Sequence, residues 1–156
     1  MRKTLMGLAL SFAFAGTAMA SDYIVVNSTD PGIKRGQAYD AGAKVPLAAG
    51  QTITLMRASG EVTTLRGAAA GVTVPGAKLS SADTARFETL RALVQPPPEG
   101  RTFGARRGGI CPAVEALTTL DEIVQVAETS GCKTVARQAL EAYLAKSGAP
   151  APTTQQ

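Results

Sequence analysis

Residues 52–66 read TITLMRASGEVTTLR. Thr52, Thr54 and Met56 alternate with Ile53, Leu55 and Arg57. Glu61 to Arg66 returns with β-branched residues. Ala58-Ser59-Gly60 supplies a short glycine-containing turn. Two such runs joined by such a turn predict a β-hairpin. Gly67 ends it. Outward on the N-terminal side, Tyr23 to Val26 is a short apolar run, and Asp30-Pro31-Gly32 is a turn signal. Ala43 to Leu47 reads as a short strand that Pro46 confines to an edge. On the C-terminal side, Val72 to Val74 adds a further strand before Pro75-Gly76. Residues 21–78 are therefore expected to form a β-rich lobe.

From Ser80 onward the period changes. Ser80-Ser81-Ala82-Asp83 has the form of a capping box with Asp at its last place, where Glu or Gln is usual. Phe87, Leu90 and Val94 recur at spacings of three and four, which predicts a helix over 79–95. Pro96-Pro97-Pro98 stops it and begins a Pro/Gly/Arg linker over 96–110. Pro112 is placed to open a short helix. Thr119-Leu120-Asp121-Glu122 is a full capping box, and Leu120, Ile123, Val124 and Ala127 line one face of the helix behind it. Ser130-Gly131 is a stop. A last helix over about 132–146 carries the stripe Val135, Ala139, Leu140, Tyr143 and Leu144. Residues 111–148 are thus expected to form a disulfide-pinned helical hairpin, and residues 149–156 read as a disordered tail by composition. The fold class expected is α+β: a small antiparallel β lobe, then a C-terminal helical region with one disulfide.

That disulfide follows from the ends of the chain. Arg2 and Lys3 precede an apolar stretch, Leu5 to Gly16, and Ala18-Met19-Ala20 is a small-residue cleavage site. This is the pattern of a secretory signal peptide, cut after Ala20. It is too short for a membrane span, which needs about 20 apolar residues. The mature protein is then periplasmic or secreted and has no transmembrane segment. In such a compartment two cysteines, Cys111 and Cys132, read as one bond. A ring of about 22 residues contributes roughly 3 kcal/mol. A continuous helix over 112–130 would hold the cysteines about 27 Å apart, against the roughly 4.4–6.8 Å between α-carbons that a disulfide permits. The chain must therefore bend between Cys111 and Thr119. The competing reading is a reactive thiol at Cys132, near a helix N-terminus.

The 156-residue chain carries 16 Lys and Arg against 12 Asp and Glu. Loss of Arg2 and Lys3 leaves 14 against 12, or +2, which gives no case for specific nucleic-acid binding. Aromatics are few and tryptophan is absent, so base- or sugar-stacking platforms are not expected. The chain has no histidine, which removes Ser-His-Asp and Cys-His catalysis and the commonest zinc ligand sets. Asp22, Asp30 and Asp40 lack calcium-loop spacing. Asp121, Glu122 and Glu128 cluster on one helix, whose N-terminal carboxylates beside the cap fit a helix-dipole role better than a sugar-cleaving carboxylate pair. No catalytic residue, metal ligand or cofactor is assigned.

One basic segment remains. GARRGGIC, residues 104–111, has the glycines of a phosphate loop, but Ile110 and Cys111 stand where Lys and Ser or Thr are required. Arg101, Arg106 and Arg107 are left as candidate anion-binding residues, since arginine forks bind phosphate or carboxylate.

TITLMRASGEVTTLRG and GARRGGICP, with VNSTDPGIKRGQAYDAGAKVPLAAG ahead of the hairpin, resemble segments of a family of small exported proteins of alphaproteobacteria. The hairpin end Leu65-Arg66-Gly67 is similar to the repeating β-hairpins of FecR-type periplasmic domains. The resemblance covers about half of the mature chain. It implies an extracytoplasmic β module and brings no active site with it. The function expected is that of an exported, non-enzymatic cell-envelope protein that binds another protein or an envelope polymer. The alternative is a weak polyanion binder using the arginine loop.

Overall fold

The structure, a computed structural model, describes residues 21–76, 78–80, 83–96, 110–129 and 131–149. Residues 1–20, expected from sequence to be a signal segment, and residues 97–109 lie outside these. Among the described residues six strands precede three α-helices: β1 (Tyr23–Ser28), β2 (Ala38–Tyr39), β3 (Lys44–Val45), β4 (Thr52–Met56), β5 (Val62–Arg66) and β6 (Val72–Thr73), then α1 (Thr84–Val94), α2 (Leu120–Glu128) and α3 (Lys133–Lys146). The α+β class holds: an antiparallel sheet, then C-terminal helices and one disulfide.

The sheet has the order β2-β1-β4-β5, all antiparallel, and β3 pairs with β6 in a separate ribbon. The expected hairpin is β4 and β5, with Thr52 opposite Arg66 and Met56 opposite Val62. Its tip is not free. Gly60 has φ +88°, and a methyl group there would sit 2.8 Å from the Tyr143 hydroxyl and 3.0 Å from a Leu120 methyl. The turn therefore lies directly on α2 and α3, and only glycine supplies that backbone.

The short run Tyr23 to Val26 becomes the central strand. All six residues of β1 are buried. Ile24 and Val26 join Met56, Ala58 and the helices in one core, whereas Tyr23 and Val25 join Ile53, Leu55, Val45 and Leu47 in another. A strand covered on both faces reads as a continuous apolar run rather than an alternation. A bulge between Val25 and Asn27 inserts Val26 without a partner on β4, a two-against-one arrangement that bends and twists a strand locally. β2 was not foreseen from sequence; it is two residues long.

The helices differ from expectation in detail. The helix expected over 79–95 occupies Thr84–Val94, and the Ser80–Asp83 box does not form. Asp83 itself stands at the N-cap, and the Ser80 hydroxyl donates to its carboxylate at 2.5 Å. Asp is one methylene shorter than Glu, and its carboxylate takes the serine hydroxyl instead of returning to a main-chain N–H. Gln95 is extended, as the residue before a proline should be. The box at Thr119 is complete: Glu122 N–H donates to Thr119 Oγ1 at 3.3 Å and Thr119 N–H donates to Glu122 Oε2 at 2.9 Å. Gly131, at φ +95°, turns the chain into α3. Ala136 is fully buried, while Val135 is only half-buried. Ala149, assigned from sequence to the tail, is 7% exposed and its N–H donates to Leu144 O at 3.0 Å. The fold thus extends at least one residue past the expected boundary.

Polar clamps tie the layers. Arg137 Nε donates to Leu93 O at 2.9 Å, joining α3 to the end of α1. Arg35, in the loop after β1, pairs with Glu141 of α3. Arg86 of α1 pairs with Asp121 of α2 at 2.6 Å.

Candidate functional site

Cys111 and Cys132 form the disulfide, with α-carbons 5.6 Å apart. The required bend is a 3-10 turn at Val114–Ala116, after which Leu117 and Thr119 leave helical geometry. Cys132 is the N-cap residue of α3 and is 2% exposed. Both cysteines are consumed by the bond, so the reactive-thiol reading is dropped.

Arg101, Arg106 and Arg107 lie outside the described residues. What the structure places is the frame of their segment. On one side is the end of α1 at Gln95; on the other is Cys111, held against the start of α3. Ile110, beside that anchor, is the one large apolar side chain fully exposed among the described residues.

Four of the carboxylates weighed from sequence have structural partners. Asp121 faces Arg86. Glu122 accepts from the main-chain N–H of Thr119 and of Thr118, and these bonds hold its carboxyl below the usual range, that of Thr119 most. Asp30 accepts from Gly32 N–H at 2.8 Å in a turn. Asp22, 6% exposed, accepts from Ala41 N–H at 2.8 Å and from Leu79 N–H. Burial raises the Tyr39 phenol; the hydrogen bond from Gln37 opposes this, and the nearby charge of Asp30 adds to it. Among the described residues no cluster of His, Cys, Asp or Glu could hold a metal ion, and no helix is long and apolar enough to cross a membrane.

The feature with binding geometry is the outer edge of β5. Gly67 N–H donates to Gln51 O at 2.7 Å and Arg57 N–H to Glu61 O at 3.0 Å. With this register, the odd-numbered residues Thr63 and Leu65 exchange their main-chain bonds with β4. Val62, Thr64 and Arg66 therefore turn their N–H and C=O groups outward. Among the described residues no other strand pairs with them. The opposite edge, β2, is only two residues long. The alternation within TITLMRASGEVTTLR could reveal which residues share a face. Which strand would lie at an edge required the topology. No protein-family model, curated protein or solved structure matches the chain.

Proposed function

We propose that this is an exported, non-enzymatic module of the cell envelope that binds an extended segment of a partner protein or envelope polymer at the β5 edge. The observation that carries this reading is the outward-facing main chain of Val62, Thr64 and Arg66. An unpaired edge is a template for a further strand: the main chain gives affinity and alternate side chains give selectivity. The absence of histidine from the sequence supports a binding role over an acid–base catalyst. The test is capture of partners from a periplasmic extract by the mature protein and by Thr64→Pro. Proline at this outer-edge position removes an outward donor and breaks no main-chain bond to β4, although it also loses the 3.3 Å contact between the Thr64 and Thr54 hydroxyls. Recovery of a partner by the native protein and its loss with the variant is expected. Recovery of nothing above background sinks the reading.

A second reading has an observation of its own, the anchoring of both ends of the arginine segment by α1 and by the disulfide. It makes Arg101, Arg106 and Arg107 a weak polyanion site. Binding should then fall with salt and disappear when all three become alanine; unchanged binding in the triple variant ends it.

A further inference from the structure

We infer that the β5 edge takes an extended acidic peptide, paired antiparallel, with a carboxylate side chain set beside Arg66. This rests on reading the β5 edge as the binding element and names the chemistry of its occupant. Val62, Thr64 and Arg66 turn their main-chain groups outward. Each therefore meets one residue of an added antiparallel strand, with α-carbons about 5.5 Å apart. The side chains of those opposing residues share a face with Val62, Thr64 and Arg66. That face is graded. Val62 is half-buried and packs against the helix-side core, whereas Thr64 and Arg66 are exposed. From its N-terminus, the occupant then carries an acidic residue, two places on a β-branched residue, and two places further an apolar one.

The charge has support independent of the main chain. Arg35, Arg57, Arg86 and Arg91 have carboxylate partners, and Arg137 donates to the Leu93 carbonyl. Among the described residues Arg66 is the one arginine with no acceptor. A basic residue at an edge deters pairing with a like strand and favours one of opposite charge. A second copy of β5 does not supply that charge. When the outward groups of two copies pair, Thr64 faces itself and Arg66 faces Val62. Glu61 cannot take that place: its carbonyl accepts from Arg57 N–H and its carboxylate from the Arg57 side chain. A polysaccharide lacks the alternating N–H and C=O groups that would match the edge.

The experiment titrates the mature protein with two end-capped peptides, SEITTVS and SKITTVS, and follows main-chain amide signals by NMR. Both should move the signals of Val62, Thr64 and Arg66, and SEITTVS should bind about fivefold more tightly. Arg66→Glu should reverse that order, and Arg66→Gln should bring the two affinities together. Equal affinities for the native protein, or an order that neither substitution alters, overturn the inference and leave the edge reading standing. Movement of the same signals with protein concentration alone assigns the edge to a second copy and overturns the inference. If neither peptide moves these signals, the edge reading falls and the inference falls with it.

Discussion

The two faces of the central sheet are covered in different ways. One carries α1, α2 and α3, whose Phe87, Leu90, Ile123, Ala139 and Leu140 close over Ile24, Val26 and Met56. The other is covered by loops and the β3–β6 ribbon, with Ile33, Val45, Leu47 and Val74 over Tyr23, Val25, Ile53 and Leu55. The second core is complete within residues 23–74. The first joins β1 to side chains more than a hundred residues away. Local contacts form at lower loop-closure cost than distant ones. The helix face therefore depends on fasteners that the ribbon face lacks: the disulfide, the Thr119 box and the Arg35–Glu141 pair.

The largest expected effects probe the cores directly. Leu55→Ala on the ribbon face and Leu140→Ala on the helix face should each cost about 2–5 kcal/mol, read from urea denaturation. Hydrogen exchange should distinguish them. Leu140→Ala should speed exchange in α2 and α3 more than in β4, and Leu55→Ala should speed both. Equal spreading from Leu140→Ala would show that the faces do not open separately.

Next is the disulfide. Replacing both cysteines with serine should cost roughly 3 kcal/mol and should loosen α2 and α3 before β1 and β4. Uniform loosening would contradict the division. Smaller again is Thr119→Ala, expected at about 1 kcal/mol because a capping oxygen is lost; thermal melting measures it. Arg35→Ala removes a partly exposed ion pair and should cost less than about 1 kcal/mol.

The smallest effect concerns pH. The carboxyl of Glu122 lies below its ordinary value in the fold because main-chain N–H groups, Thr119 first, bind its charged form. A lowered group stabilises above its unfolded value, about 4.3, and that contribution is lost as pH falls through the folded value. Glu122→Gln can keep the geometry without the charge. It should flatten the fall in melting temperature below about pH 4.3; an unaltered slope would remove Glu122 from the acid response.

Much of this architecture was legible where local chemistry decides it. The hairpin followed from β-branched alternation around Gly60. The Thr119 box followed from its residues. The bend before it followed from disulfide reach. Elsewhere the signal was weak or non-local. Tyr23 to Val26 could be seen as apolar, but its central place depends on pairing with residues 53–56. Ala38 and Tyr39 make too short a strand to leave a pattern. Ala136 is core although alanine carries little hydrophobic signal, and Asp22 is buried by donors 19 and 57 residues away. The β5 edge is a fact of strand order, which no local pattern states.

The position of β1 in the chain has a further cost. The enclosed strand β1 leaves the ribosome ahead of every other described strand, and its partner β4 follows roughly 30 residues later, a delay that folding cannot shorten. Until then YIVV is an uncovered segment of high β-propensity with no internal charge, the kind that seeds intermolecular stacking. The acidic residues Asp22 and Asp30 flank it, the placement of gatekeepers. In the native protein Asp22 is a structural acceptor; during synthesis the same charge would guard solubility, so replacing it should raise aggregation of the unfolded chain as well as loosen the native contacts to Ala41 and Leu79.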